Sequence, residues 1–481
     1  MNAVAPDPRR WKALILICAA IFVVVLDIAI VNVALPSIGK DLHFADKNLQ
    51  WVITAYSLTY GGFLLLGGRA ADLLGRRLVF MGGLALFTTA SLVCGLSGSE
   101  AMLIIARGVQ GLGAAIVTPA ALSIISTTFT EGSERNKALG AWGAVGGSGA
   151  AAGVLMGGVL TKYLGWEWIF WVNVPVGITV LVLTPLYVRE SRREGVAHDY
   201  DALGAITVTA GLIVLVYAIS QAPEVGWGTF RTIGLVVVSA VLLAFFLLWE
   251  WREELPLMPL GIFRIRLVAA ANACGFLLAG GMYGTFLLLT LYMQQVLRLS
   301  VLQTGVAFLA TAGTAVVMAA PAQALTTRLG AKPVLVAGMA LLVAGCAWYT
   351  QIDVNGSYKL DLLPGFLAVG IGIPFAFIPI TIAGLAGVRD EDAGLASGLI
   401  NTSQQVGGAI GTAVLSTIAF THANTLLRHG HRPDEAFTRG FQWGFWVGVG
   451  IWAVGLLAAL ILIRREEVAH PQAVELPATQ S

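Results

Sequence analysis

Charge is what this chain has least of. Only 12% of its 481 residues are Asp, Glu, Lys or Arg, against roughly 25% in ordinary soluble domains. With 57% hydrophobic residues and a mean hydropathy of +0.81, there is too little polar surface to cover the apolar mass in water. That excludes a soluble globule and leaves a polytopic membrane protein. Cysteine is also scarce. Cys18, Cys94, Cys274 and Cys346 all fall in hydrophobic runs without a CxxC partner, which excludes a disulfide framework and a cysteine metal site. No GxxxxGK[ST] phosphate loop occurs, and no polar block is long enough for a nucleotide-binding domain, so ATP hydrolysis cannot drive this chain. No nucleophile–base pair or metal cluster supports an enzyme. The HxH of His429 and His431 is flanked by Arg428 and Arg432, cations that disfavour a metal, and reads as an exposed loop.

What is present is a series of apolar runs. A helix needs about 20 such residues to cross the hydrocarbon, and fourteen runs qualify, near 12–35, 49–69, 78–97, 101–123, 138–161, 166–188, 202–220, 232–250, 267–292, 303–325, 333–351, 361–385, 397–420 and 438–463. The first has no small-residue cleavage site after it and reads as a retained signal-anchor. An even number puts both termini on one side. Lys and Arg favour the segments on the side of the termini by about two to one, among them Arg9, Arg10, Arg76, Arg77, Arg192 and Arg193, so both termini are expected in the cytoplasm. Tryptophans cluster at the span ends, including Trp51, Trp166, Trp168, Trp443 and Trp446 at the outer side, as an aromatic belt does.

A weak internal repeat is visible. LLGRRLVF (73–80) and RLGAKPVL (328–335) align Gly75 with Gly330 and Arg77 with Lys332, as in transporters built from two related halves. The expected organisation is a cytoplasmic tail (1–11), an N-terminal six-helix bundle (12–188), a cytoplasmic linker (189–201), two additional helices (202–250), a second linker (251–266), a C-terminal six-helix bundle (267–463) and a cytoplasmic tail (464–481).

Four stretches carry mechanism. In GRAADLLGRR (68–77), Gly68 permits close helix approach and Gly75 a turn, while Arg76 and Arg77 are candidate partners for Asp72 or for lipid phosphates. In LIIARGVQGLGAA (103–115), Arg107, Gln110 and Gly111 share one helix face, and an arginine within a span needs a partner in the protein interior or carbonyls to bridge. In GGSGAAAGVLMGG (146–158), Gly149, Gly153 and Gly157, with Gly158 beside them, form a smooth stripe. Such stripes are also generic helix contacts. In VVVLDIAIVN (23–32), Asp27 is the one acid deep in any span. At 1.5 Å per residue it lies roughly 22 Å from the inner face and Arg107 roughly 9 Å from the outer one. In a core about 30 Å thick the two are level. Asp27 is therefore expected to face a central cavity within reach of Arg107. It could exchange a proton for substrate, or simply lock two helices together.

These stretches resemble the major facilitator superfamily, and in particular its fourteen-helix drug:proton antiporters of the EmrB/QacA type. The first is similar to the GxLADRxGRR loop, the second to RxxQG and the third to gxxxGPxxGG. LDIAIVNVALP (26–36), GWEWIFWVNVPVG (165–177) and ASGLINTSQQVGGAIG (396–411) resemble spans 1, 6 and 13 of that group, and the likeness runs from about residue 12 to 463. Two departures stand out: Val154 where proline is usual, which removes a kink, and Glu167 where arginine is commoner.

The resemblance implies an all-α fold of two six-helix bundles plus two additional central helices. It also implies proton-coupled efflux of small hydrophobic or amphipathic compounds such as drugs or antibiotics, by alternating access. Asp72 would cap a helix N-terminus near Ala393 to Ser397 and hold the inner gate with Gly68, Gly75, Arg76 and Arg77, while Arg107 would serve proton coupling with Asp27. No cofactor beyond the proton gradient is implied. The partners would be a lipophilic substrate, protons and membrane lipid, without nucleic acid. A monomer in a bacterial cytoplasmic membrane is expected. Candidates for the substrate cavity are Asn32, Tyr56, Tyr60, Gln110, Tyr283, Gln294, Asn401 and Gln404, each of which could equally serve helix packing. Export of an endogenous metabolite and facilitated import remain as alternatives. A channel or membrane sensor fits less well, for no pore motif or output domain is present.

Overall fold

In hydrocarbon a backbone can satisfy its N–H and C=O groups only within a helix or a closed barrel. The apolar runs of this chain take the first solution. The computed structural model describes residues 9–44, 49, 51–129, 132–191, 201–253, 256–389 and 392–463, and among these every regular element is helical. Residues 1–8 of the N-terminal tail, the C-terminal tail, residues 192–200 of the first linker and the side chain of Val154 lie outside that description.

We number the long helices α1 (Arg10–Asp41), α2 (Trp51–Leu74), α3 (Arg76–Gly95), α4 (Glu100–Thr128) and α5 (Ser133–Tyr163). Then come α6 (Trp168–Tyr187, interrupted at Val172), α7 (Ala202–Val225), α8 (Phe230–Glu250) and α9 (Arg266–Val296, ending in a π turn). The last five are α10 (Val301–Leu329), α11 (Ala331–Tyr349), α12 (Tyr358–Leu385, opening in a π turn), α13 (Ala393–Arg428) and α14 (Pro433–Leu462). Their starts follow ordinary capping chemistry. Ser99, Asp201 and Thr229 each accept a backbone N–H at the first turn of α4, α7 and α8, and Ser300 with Gln303 forms a capping box on α10. The repeat seen in the sequence has a backbone counterpart. Gly75 (φ +111°) joins α2 to α3 and Gly330 (φ +85°) joins α10 to α11, both in the left-handed region.

Eleven of the described helices are long and apolar enough to cross a membrane, and α7 adds a shorter apolar stretch, Leu203–Ile219. The expectation of fourteen spans is thus not matched by this measure. In α2 the shortfall has a physical reason: Tyr56, Tyr60 and glycines such as Gly61 and Gly62 dilute its hydropathy, and it packs against α4 of the same unit. The count covers described residues alone, and the side chains of α5 and α7 are described only in part.

The chain divides into two compact units. One holds residues Met1–Asp199 together with Arg389–Gly398, the other Tyr200–Val388 and Leu399–Ser481. In the first, α1 packs on α5 and α6, and α4 on α2 and α3. Its core gathers Leu26, Ile30 and Val31 of α1 with Leu103 and Ala106 of α4 and Ile169 and Phe170 of α6. In the second, α7 packs on α8, α9 and α11 on α14, and α10 and α11 on α12, around Tyr292, Tyr349, Phe366, Phe445 and Trp452.

The α5 stripe sets how closely α1 is held. A Cβ on Gly153 would lie 2.7 Å from the Ala29 Cβ and 2.8 Å from the Leu26 carbonyl, and one on Gly149 3.1 Å from Val25. Gly157 meets Ile30 and Val33 in the same way, while Gly158, its neighbour, is half-buried. Most of the crowding atoms are backbone atoms or Cβ carbons, which cannot swing aside. Gly153→Leu is therefore expected to force α5 off α1 and cost about 1–3 kcal/mol, read as a lowered thermal transition of the purified protein. Gly146→Leu, on the same helix with open space around its Cβ, should leave the transition in place. Equal effects of the two would refute this account of the stripe.

Candidate functional site

Asp27 sits midway along α1 with apolar neighbours in sequence, and it is fully enclosed: Asp27 is 0% and Arg107 1% exposed. Its oxygens are nonetheless saturated with donors. Arg107 Nη1 donates to Oδ2 at 2.5 Å, and Gln110 Nε2 and Asn173 Nδ2 donate to Oδ1 at 2.8 and 3.0 Å. The guanidinium is held in turn. Its Nε donates to the Val52 carbonyl of α2 at 2.9 Å, its Nη1 also reaches Gln110 Oε1 at 2.7 Å, and the Tyr56 ring lies 4.3 Å below it. Ser91 of α3 accepts from both Gln110 and Asn173 at 3.1 Å and donates to the Phe170 carbonyl at 2.9 Å. Five helices thus converge on one charge pair. An ionised carboxylate among three N–H donors, one of them cationic, is the arrangement in which such bonds are short and strong.

The expected meeting of Asp27 and Arg107 is present. The expected exposure of Asp27 to a cavity is not: its side chain is fully buried against Arg107 and Gln110 of α4 and Asn173 of α6. Gln110 belongs to this network and does not line open space. Tyr56 and Tyr60 are buried as well. They stack at 5.7 Å, Tyr56 serving Arg107 and Tyr60 donating to Thr118 Oγ1 at 3.4 Å. As candidates for a cavity wall these three are corrected, because an amphipathic side chain in a span finds a buried polar partner as readily as an open one. The other candidates are scattered. Asn32 is exposed on α1 and donates back to the Ile28 carbonyl. Tyr283 is 39% exposed and donates to Gln405 Oε1 at 3.1 Å. Gln294, Asn401 and Gln404 are half-buried.

A second ionic site lies at the end of α2, past its apolar stretch. Asp72 accepts from the backbone N–H groups of Gly394 and Leu395 at 3.0 Å each, from Arg76 Nη2 at 3.0 Å and from Ser123 Oγ at 3.4 Å. A carboxylate on the first N–H groups of α13 satisfies orphan donors and the positive end of the helix dipole together. Burial pushes the Asp72 carboxyl up to about 6, while Arg76 and the two N–H groups pull it down. Gly68 makes the approach possible, since a Cβ there would lie 2.3 Å from the Gly394 carbonyl. Arg77 does not partner Asp72. The turn at Gly75 aims it the other way, onto the Val188 carbonyl and Glu190.

Sequence reasoning missed several residues here. Glu190 accepts the N–H groups of Arg77 and Leu78 at 3.0 Å and so caps α3. Asp392 pairs with Arg389 at 2.8 Å and Arg69 at 3.7 Å. Asn173 lies 146 residues from Asp27. The only hint of it is a polar residue inside WVNVPVG. No group of three metal-binding side chains occurs among the described residues, and His431 lies 3.6 Å from Glu435.

Comparison with known proteins adds a family. Residues 17–412 match the sequence profile described as Major Facilitator Superfamily. Puromycin resistance protein pur8 of Streptomyces alboniger is 42% identical over 460 residues, covering 94% of this chain and 90% of that protein. Cephamycin export protein CmcT of Amycolatopsis lactamdurans is 39% identical, covering 84% of each. Tetracenomycin C resistance and export protein of Streptomyces glaucescens is 33% identical, covering 85% and 76%. Among solved structures, the human organic anion transporter MFSD10 (TETRAN) superposes with a TM-score of 0.66 at 16% identity, covering 94% of this chain and all of that one. That likeness speaks to the fold alone.

The enclosed pair makes a stability prediction. Arg107→Ala strands a buried carboxylate, and removing one partner of a buried pair costs about 3–5 kcal/mol. Adding Asp27→Asn to Arg107→Ala should recover much of that loss, since no charge is then left uncompensated. The check is a thermal-unfolding double-mutant cycle. Additive losses would show that the two side chains are not coupled.

Proposed function

This chain belongs to the major facilitator superfamily, and on that premise we propose that it exports small hydrophobic or amphipathic antibiotics or drugs in exchange for protons. It is a polytopic, all-helical membrane transporter and not an enzyme. The observation that carries the proposal is the Asp27–Arg107 pair, an ionisable couple buried in an apolar unit with three side-chain donors on one carboxylate. A merely structural link could be made more cheaply by apolar packing, because burying two charges is costly even when they are paired. The relatives supply the substrate class. Besides the puromycin, cephamycin and tetracenomycin C proteins, a 36% identical relative is named Multidrug resistance protein Stp, from Mycobacterium tuberculosis, and a 31% identical one Lincomycin resistance protein, from Streptomyces lincolnensis.

In this reading the chain is a monomer in a bacterial cytoplasmic membrane, surrounded by lipid, with both termini inside and no cofactor. Fourteen spans make two six-helix bundles and an additional pair, α7 and α8. Asp72 latches the start of α13, and its release lets the cytoplasmic side open. Asp27 loses its proton as substrate binds and takes one from outside as substrate leaves. The glycine stripe of α5 lets α1 shift with the charge state of Asp27, backbone against backbone.

Inverted membrane vesicles test this. An imposed pH gradient, acid inside, should drive accumulation of puromycin, a cephamycin or a fluorescent lipophilic cation, and a protonophore should abolish it. Asp27→Asn should lose gradient-driven accumulation while the protein stays inserted. No accumulation of any of these compounds, or accumulation indifferent to Asp27→Asn, would sink the proposal.

A further inference from the structure

Around Asp27 the hydrogen-bond ledger is complete for one protonation state and incomplete for the other. As found, everything that touches the carboxylate is a donor: Arg107, Gln110 and Asn173. Once Asp27 takes a proton it becomes a donor itself and needs an acceptor, and a buried O–H without one is expensive. Few acceptors are within the cluster. Ser91 Oγ already accepts two N–H bonds and spends its own hydrogen on the Phe170 carbonyl. Gln110 Oε1 accepts from Arg107 at 2.7 Å and faces the Cys94 thiol at 3.6 Å. Turning that amide would set its NH2 against the guanidinium. Asn173 differs. It is fully buried, its Nδ2 is engaged twice, and its Oδ1 accepts nothing from any described residue.

Resting on the proton-coupling reading above, we infer that Asn173 is a positioning residue that follows the protonation state of Asp27. Its Nδ2 donates to the carboxylate when Asp27 is ionised, and its amide turns over so that Oδ1 accepts from the carboxyl O–H when Asp27 is protonated. The terminal torsion of asparagine is broad and roughly two-fold, so the turn needs no movement of the backbone. The two ends of the amide are nearly the same size, so the cluster keeps its packing. Ser91 keeps the Gln110 Nε2 bond throughout. The proton enters from the outer aqueous phase onto a carboxylate oxygen and leaves to the cytoplasm from the same oxygen. Asn173 carries no proton of its own across. The titratable groups facing Asp27 are Arg107 on α4, Cys94 on α3 and Tyr56 on α2. α6 adds only Tyr187, at its other end. Asn173 is therefore the neutral partner able to serve both states.

Difference infrared spectroscopy on the full-length protein in lipid, stepped in pH, reads the carboxyl directly, the Asp27 band being the one that Asp27→Asn removes. In the native protein that band should lie at the low wavenumber of a hydrogen-bonded acid, with an asparagine amide band shifting in the same step. Asn173→Leu should move the Asp27 band to higher wavenumber. Its gradient-driven transport near neutral pH should fall roughly tenfold, the worth of one hydrogen bond to such a group, and return when the proton-supplying side is made more acidic. Asn173→Ser, whose hydroxyl both donates and accepts, should stay near native. An unmoved band and pH profile in Asn173→Leu would overturn the assignment. So would a native Asp27 band at the position of a free acid, which decides the matter even if Asn173→Leu does not fold. Gradient-driven transport that survives Asp27→Asn would overturn the coupling reading and this one with it. Loss in Asp27→Asn alongside an unchanged Asn173→Leu overturns only the role of Asn173.

Discussion

A carboxylate and a guanidinium, each nearly insoluble in hydrocarbon alone, share one enclosed site, and much of the first unit is arranged to let them do so. Transferring either charge from water costs several kcal/mol that their mutual attraction repays only with good geometry and further hydrogen bonds. Each packing feature near the pair answers that demand. Glycines on α5 bring its backbone against the stretch of α1 that carries Asp27, at Val25, Leu26, Ala29 and Ile30. The α2 carbonyl of Val52 and the ring of Tyr56 hold the guanidinium from below. Asn173 of α6 completes the donor set, held in place by Ser91 of α3, which accepts from it. A pair held this way is rigid in one charge state and underdetermined in the other, which suits a group whose charge is meant to change.

Asp72 answers the same problem differently. Its charge is offset by Arg76 and by the unpaired N–H groups at the start of α13, so its best contacts exist only while α13 begins where it does. The first turns of α13, through Gly398, belong with the first unit while its remainder belongs with the second. One helix therefore carries both the latch and the segment with Asn401 and Gln404. In the proposed cycle, proton exchange at Asp27 and release at Asp72 are two ionic events linked by rigid helices.

Depth along a helix is the part of this site that the chain discloses most directly. Asp27 and Arg107 are the acid and base farthest inside the spans, and a fixed rise per residue places them level from the order of residues alone. Spacing along α4 likewise puts Gln110 beside Arg107, although its place in the network, and not in a cavity wall, depends on what lies opposite. The latch is legible through its motif, down to the turn at Gly75 and the receiving helix, but Arg77 is not separable from Arg76, because both follow that turn and which of them meets Asp72 depends on how α3 is rotated. Asn173, Ser91 and Glu190 are illegible for a common reason. Their partners come from other helices, and nothing in the periodicity of one helix tells which rotation it takes against another. α2 falls short of the hydropathy measure for a simpler reason: a helix that meets other helices needs less hydropathy than one that meets lipid.

The central claim is that Asp27 carries the exchanged proton. It is tested most directly by measuring protons released when substrate is added to the purified protein in weakly buffered detergent, native chain against Asp27→Asn. The account predicts release of about one proton per substrate bound by the native protein near neutral pH, and none from Asp27→Asn although substrate still binds. Undiminished release from Asp27→Asn would contradict it.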